Sequence, residues 1–235
     1  MNDCYAGDIG DFCKYGLLRS ILNASNGKNL GINWYRTDSE KKGTHYAYLE
    51  LNNKRGQTLR KLDEILYASL SPFSNPECRK ISNVEEKNIL PVKTITFNDF
   101  VPERYERESW HKRALQHLIK ADIVFLDPDN GIEIPSNPYS REHVRIAELM
   151  GYYMANKSVV FYAHRPHEDK TKFNKRFSIL DGKFPKSITR RIRSSLGGQR
   201  DYCFIIRSEH VVINKQLNTF LDKWNPHFIE VTEND

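Results

Sequence analysis

The stretch Asp122-Ile123-Val124-Phe125-Leu126-Asp127-Pro128-Asp129-Asn130-Gly131-Ile132-Glu133 joins an unbroken apolar run to a cluster of acids. A run without polar alternation is what a strand covered on both faces requires, so residues 122–126 predict a central parallel strand. Pro128 ends the ladder because it has no N–H, and Asn130-Gly131 makes a tight turn. Asp127 and Asp129 are thereby set at the carboxyl edge of the sheet, where open α/β sheets bind ligands.

Working outward, other segments repeat the type. Residues 30–36 (LGINWYR), 92–97 (VKTITF) and 158–163 (SVVFYA) read as strands. Residues 11–25 read as a helix, with Phe12, Tyr15, Leu18 and Leu22 at helical spacing, Asp11 as N-cap and Asn26-Gly27 as the stop. Helical spacing continues over 57–69 (Leu59, Leu62, Ile65, Leu66), 103–120 (Trp110, Ala114, Leu115, Leu118, Ile119) and 141–155, with a final helix over 215–224. The runs 202–207 (YCFIIR) and 211–213 suggest a late antiparallel hairpin. Strands alternating with helices predict an open, mostly parallel, Rossmann-like α/β sheet. With no repeat or linker, one domain over 1–235 is expected.

Composition narrows the class. The 235 residues are 39% hydrophobic and 28% charged, which is ordinary globular usage. No apolar run approaches the roughly 20 residues that cross a bilayer, and the start has neither the basic nor the apolar stretch of a signal peptide. Cys4, Cys13, Cys78 and Cys203 are scattered without metal-ligand spacing. That suits reduced thiols and a cytoplasmic location. The net charge of +6 is concentrated late: Lys183, Lys186, Arg190, Arg191, Arg193 and Arg200 follow one another without a carboxylate. Such a run is either a solvated helix face with a basic loop or a phosphate-tracking edge for nucleic acid, with Lys186, Arg190, Arg191 and Arg193 as its contacts.

Four groups of residues are candidates for chemistry. Asp127, Asp129 and Glu133 lie within seven residues and are able to ligate a hard cation such as Mg²⁺. The same acids also suit a turn whose side chains cap backbone donors. The opening Tyr5-Ala6-Gly7-Asp8-Ile9-Gly10-Asp11-Phe12-Cys13-Lys14-Tyr15 places two glycines and several charges beside a helix N-terminus. Gly43-Thr44-His45-Tyr46 and His164-Arg165-Pro166-His167-Glu168 each follow a strand. Their polar groups either face the cleft or are solvated loop residues.

Residues 5–15 resemble the opening H-A-G-N-H-A-D-V-L-K-H of the 23S ribosomal RNA adenine-N6 methyltransferases. Ala6, Gly7, Asp11 and Lys14 match, while Tyr5, Asp8 and Tyr15 stand where that pattern has His, Asn and His. Asp127-Pro128 matches the first half of the family's D-P-P-Y loop. The resemblance implies a class I methyltransferase fold, with S-adenosylmethionine as cofactor and a base amino group as target. It implies a cofactor site built from Tyr5, Gly7, Asp8, Asp11, Lys14 and Tyr15, to which Thr44 and His45 are added from their position after the first strand. It also implies a catalytic loop of Asp127, Pro128, Asp129 and Asn130, in which Asp127 accepts a hydrogen from the target amine. Two features depart from the pattern. Asp129 and Asn130 replace the second Pro and the aromatic ring, and residues 37–46 carry a single glycine where the family has D-x-x-A-G-x-G.

The expected function is therefore methyl transfer to nucleic acid. Two alternatives remain open: a Mg²⁺-dependent nuclease or phosphohydrolase using Asp127, Asp129 and Glu133, and a nucleic-acid-binding module without catalysis. Oligomeric state leaves no trace in the sequence.

Overall fold

A computed structural model describes residues 1–23, 27–38, 45–50, 52–87, 89–134, 137, 139–165 and 169–231. In chain order the first half comprises α1 (Ile9–Asn23), β1 (Leu30–Asn33), α2 (Lys54–Leu62), α3 (Glu64–Leu70), α4 (Ile81–Glu86), β2 (Ile95–Phe97), α5 (Arg107–His117) and β3 (Ile123–Leu126). There follow β4 (Gly131–Ile132), β5 (His143–Val144), α6 (Ile146–Met154), β6 (Ser158–His164), α7 (Lys170–Lys175), β7 (Ser187–Ser194), β8 (Arg200–Arg207), α8 (Val211–Trp224) and β9 (Phe228–Glu230). No described helix is long and apolar enough to cross a membrane.

Seven strands form one sheet in the order β2-β1-β3-β6-β8-β7-β9, while β4 and β5 pair separately. The pairs β2-β1, β1-β3 and β3-β6 are parallel, and β6-β8, β8-β7 and β7-β9 are antiparallel. This is the expected open, mostly parallel Rossmann-like α/β sheet, with its late antiparallel hairpin. The order reverses beside β1, with β2 on one side and β3 on the other, so the crevice for a ligand opens at the carboxyl ends of these strands. The register aligns those ends: Asn33 pairs with Leu126, and Leu126 with Phe161.

The unbroken apolar run of β3 serves two cores. Ile123 and Phe125 pack with Phe12, Leu18, Trp34, Phe204 and Trp224 on one face. Val124 and Leu126 pack with Trp110, Leu149, Tyr152 and Phe161 on the other. Alternate side chains point to opposite faces, and both faces are covered by helices. Each fully buried aliphatic or aromatic side chain contributes about 1.5–3 kcal/mol.

Several local expectations are corrected. The cap of α1 is Asp8, whose Oδ1 accepts the amide of Asp11 at 2.9 Å; Asp11 itself lies in the first turn. The helix expected over 57–69 breaks at Asp63, which turns extended (φ −152°) and caps Leu66. A short polar side chain competes with the helix for backbone donors, and here it wins. The break leaves Ile65 70% exposed, off the face that buries Leu59 and Leu66. Helix α5 is shorter than its periodicity suggests, and Ile119 lies beyond it, 69% exposed. The hairpin pairs β7 with β8, so residues 211–213 begin α8 rather than a strand. Its stripe of Ile213, Leu217, Phe220 and Trp224 is fully buried and continues the helix upstream.

Helix α1 crosses α8 at a glycine. A Cβ on Gly16 would lie 2.5 Å from the Trp224 ring, which Phe12, Phe220 and Phe228 hold in place. Replacing glycine by alanine inside a helix ordinarily adds about 1 kcal/mol. At Gly16 the ring cannot retreat, so Gly16→Ala is expected to destabilise by about 1–3 kcal/mol, as overpacked cores do. A denaturant midpoint equal to or above wild type would contradict the packing described.

Candidate functional site

The two stretches singled out by sequence meet at the carboxyl edge of the sheet. Lys14 Nζ donates to Asp11 Oδ1 at 2.7 Å and to Asp127 Oδ2 at 2.7 Å. All three residues are buried. Helix spacing puts Asp11 and Lys14 on one face of α1, and the end of β3 delivers Asp127 opposite them. Asp11 is saturated: its Oδ2 accepts the Gly7 amide at 2.9 Å and the Tyr15 hydroxyl at 2.8 Å. Asp127 Oδ1, by contrast, accepts no hydrogen bond from any described residue. Burial pushes the Lys14 ammonium down, but Asp11 and Asp127 outweigh it and hold Lys14 above its ordinary value. Burial likewise raises the Asp127 carboxyl, and Lys14 offsets only part of the rise.

This triad forms one wall of a cavity of about 360 Å³. Tyr5, Asp8, Asp11, Lys14, His45, Asp127, Pro128, Asp129 and Asn130 all line it, so nine of the residues nominated from sequence share one space. Gly7 and Tyr15 stand behind the wall. Gly7 adopts φ +80° with Phe73 against its Cα, and the buried Tyr15 ring reaches only Asp11. Thr44 lies outside the described residues, as do Pro166, His167 and Glu168. Asp129 faces the Met1 amino group at 3.1 Å and accepts the Thr37 hydroxyl at 2.8 Å; Asn130 donates to Glu142. The Met1 amino group also donates to the carbonyls of Tyr35 and Asp127, at the ends of β1 and β3. The chain's own first residue thus sits in the crevice where strand order reverses.

The acids proposed for Mg²⁺ separate. Asp129 turns to Met1 and Thr37 and Asp127 to Lys14, while Glu133 does not line the cavity. Among the described residues no three His, Cys, Asp or Glu side chains are arranged to hold a metal ion. All four cysteines are free thiols.

Tyr162, His164 and Arg200 line the cavity as well, and of these the sequence singles out only His164, as a loop residue that either faces the cleft or is solvated. Tyr162 and His164 end β6, a position legible as a strand terminus. Arg200 was hidden in the basic run. That run forms β7 and its turn, and the three arginines of β7 are already matched by acids within the fold. Arg190 forks onto Glu230 at 2.7 and 2.8 Å. Arg193 forks onto Asp201 at 2.7 and 2.9 Å, with Arg191 stacked on Phe177 beside it. Lys186 alone of the four nominated residues is exposed. A strand accommodates so many arginines because their stems pack and their heads are paired. Arg200 is buried, its Nε donating to the Tyr162 hydroxyl at 3.1 Å and Nη1 to the carbonyls of Leu196 and Gly197 at 2.7 and 2.5 Å. Burial and the neighbouring Asp11 charge push the Asp8 carboxyl up to about 6, with Arg200 pulling the other way. Burial pushes the Tyr162 phenol up to about 12.

No family model matches the chain, and no curated protein matches it. A solved structure, protein LPL1258 from Legionella pneumophila str. Philadelphia 1, with the family-model name DUF519, is similar at 13% identity and a TM-score of 0.46. The match covers 96% of this chain and 97% of that one.

Two outcomes test the electrostatics. Lys14→Met strands two buried carboxylates and is expected to cost about 3–5 kcal/mol, as broken buried pairs do; Asp127→Asn, which leaves Lys14 on Asp11, costs less. Equal losses in urea titrations would contradict this ranking. Asp8 has a raised folded pKa, so its contribution is present below the unfolded value of 3.8 and is lost as pH rises through about 6. Asp8→Asn keeps the cap and removes that loss, so its stability relative to wild type is expected to rise between pH 4 and pH 7. A pH-independent difference in thermal midpoint would refute the assignment.

Proposed function

We propose that the protein is a cytoplasmic, class I, S-adenosylmethionine-dependent methyltransferase that acts on a base amino group of nucleic acid. The contact of Lys14 with Asp127 carries the reading. It joins, across 113 residues of sequence, the two segments that resemble the adenine-N6 enzymes, and it does so in the wall of one cavity. The cavity falls within the ~300–1,000 Å³ range of small-molecule sites. Its lining offers the carboxylate of Asp127, whose Oδ1 accepts no hydrogen bond from any described residue and which a ligand's N–H would satisfy.

Bound S-adenosylmethionine supplies an electrophilic methyl group on a sulfonium centre. Tyr5, Asp8, His45 and the first turn of α1 would hold it. Asp127 Oδ1 accepts a hydrogen from the target amine, which orients the nitrogen lone pair, and its raised basicity suits it to take the proton shed on transfer. Lys14 occupies Oδ2 and fixes the carboxylate plane. Asp129 and Asn130 buttress the loop through Met1, Thr37 and Glu142.

A second reading, a nucleotide-binding module without transfer, is favoured by the lack of an aromatic ring after Asp127-Pro128. An extruded base needs a face to stack on. In this cavity the rings of Tyr5, His45, Tyr162 and His164 are those available among the described residues.

Isothermal titration with S-adenosylmethionine and S-adenosylhomocysteine is expected to show one site for each. Transfer of labelled methyl to RNA or DNA is expected to fall by about 100-fold or more in Asp127→Asn, in the range of a lost catalytic proton acceptor, with cofactor binding retained. Absence of binding by both compounds overturns the proposal, and binding without transfer to any nucleic acid selects the second reading.

A further inference from the structure

The positive charge of this chain gathers upstream of β7. Residues 165–186 hold Arg165, Lys170, Lys172, Lys175, Arg176, Lys183 and Lys186 against Glu168, Asp169 and Asp181, a balance of +4 out of the chain's +6. The arginines of β7 meet Glu230 and Asp201, but the lysines of this segment meet no such partner. Lys170, Lys172, Lys175, Lys183 and Lys186 are all exposed, and none of the five pairs with a carboxylate among the described residues.

Apolar spacing fixes which side these lysines take. Phe173, Phe177, Leu180 and Phe184 recur three or four residues apart along α7, the 3-10 turn Arg176–Leu180 and the loop after it, and they pack into the second core. The lysines between them are left facing solvent. A groove of about 560 Å³ runs between this segment and β7, with Asn174, Ser178, Gly182, Ser187 and Thr189 in its lining. Lys175, Lys183 and Lys186 are chain neighbours of Asn174, Gly182 and Ser187. The segment also adjoins the cavity. Strand β6 ends at His164, in the cavity lining, and α7 starts at Lys170. Arg176 lies close enough to His143 to join burial in holding that imidazole below its ordinary value. The residue before His143, Glu142, anchors Asn130 of the cavity wall.

We infer that α7, the turn after it and the loop before β7 form a docking surface for the phosphodiester backbone of nucleic acid, which follows this groove on its way to the cavity. The unmatched charge is all lysine, a compact cation on a flexible stem, which contacts phosphates without reading sequence. Within the groove Asn174 turns its Oδ1 to Arg191 and Arg193, which leaves its amide nitrogen as a donor. The position beside the cavity selects a polymer, because one molecule then lies on the lysines and presents a target to Asp127. The inference rests on the proposed function for the class of substrate alone; binding through these lysines needs no methyl donor.

Fluorescence anisotropy of a labelled single-stranded RNA, and of DNA of the same sequence, reads this surface on the full chain. Wild type is expected to bind with an affinity that falls steeply between about 50 and 200 mM salt. Lys170→Gln, Lys172→Gln and Lys175→Gln together are expected to weaken binding by about 10-fold or more at the lower salt. They are also expected to flatten the log–log salt slope by about 2, at ~0.7 per single-strand phosphate contact. Lys183→Gln with Lys186→Gln acts in the same sense, whereas Lys215→Gln with Lys223→Gln, which removes equal charge from the exposed side of α8, leaves both readings near wild type. Equal losses in the two double variants overturn the inference. So does an unchanged triple variant, and so does a wild type that binds neither polymer, whether or not it binds anionic lipid vesicles. Titration with S-adenosylhomocysteine separates this inference from the methyl-donor reading. Salt-dependent binding through these lysines without a nucleoside site keeps the surface and removes the methyl donor, and a nucleoside site with no effect of the lysines does the reverse.

Discussion

A buried ammonium must be neutralised, and in this protein the carboxylates that neutralise Lys14 come from opposite parts of the chain. Asp11 is local, one helical turn away, whereas Asp127 arrives only when β3 is seated in the sheet. The first helix and the central strand therefore dock in one relative position, because any other leaves a charge without a partner in a region closed to water. Gly7, Tyr15 and Asp8 are organised around that requirement. Gly7 and Tyr15 fill the second oxygen of Asp11, and Asp8 starts the helix that carries Lys14.

The same requirement shapes the cavity. With Oδ2 of Asp127 and Oδ1 of Asp11 committed to Lys14, the cavity presents Asp127 Oδ1 on one side and the Asp8–Arg200 pair on another, beside Tyr5, His45 and His164. Register decides that these belong to one space. Leu126 pairs with Phe161, so the residues after them, Asp127 and Tyr162, emerge side by side, and Tyr162 in turn holds Arg200. The acids that look like a metal cluster in sequence are pulled apart because a tight turn sends successive side chains in different directions.

Much of the architecture was legible from local pattern. The apolar run of β3, the stripe of Phe12, Tyr15, Leu18 and Leu22, and the strand preceding His164 each carry their periodicity in a few adjacent residues. The misreadings share a cause as well. Asp63 ends a helix by hydrogen bonding, which periodicity does not register, and residues 187–194 look like a solvated basic face until Glu230 and Asp201 are brought against them. The first three residues gave no signal at all, yet the Met1 amino group lies between β1 and β3.

Sequence by itself determined the alternation of strands and helices, the placing of Asp127 at a strand's carboxyl end, and the grouping of charge before the first helix, because these depend on neighbours within a turn or two. Tertiary structure alone decided which charges are spent and which remain. Lys14 is consumed in an internal triad, the arginines of β7 are matched by Glu230 and Asp201, and Arg200, inconspicuous in the chain, reaches the cavity. The physical reason is that a charge takes its character from what is buried beside it, and those neighbours are set by sheet order and register rather than by adjacency along the backbone.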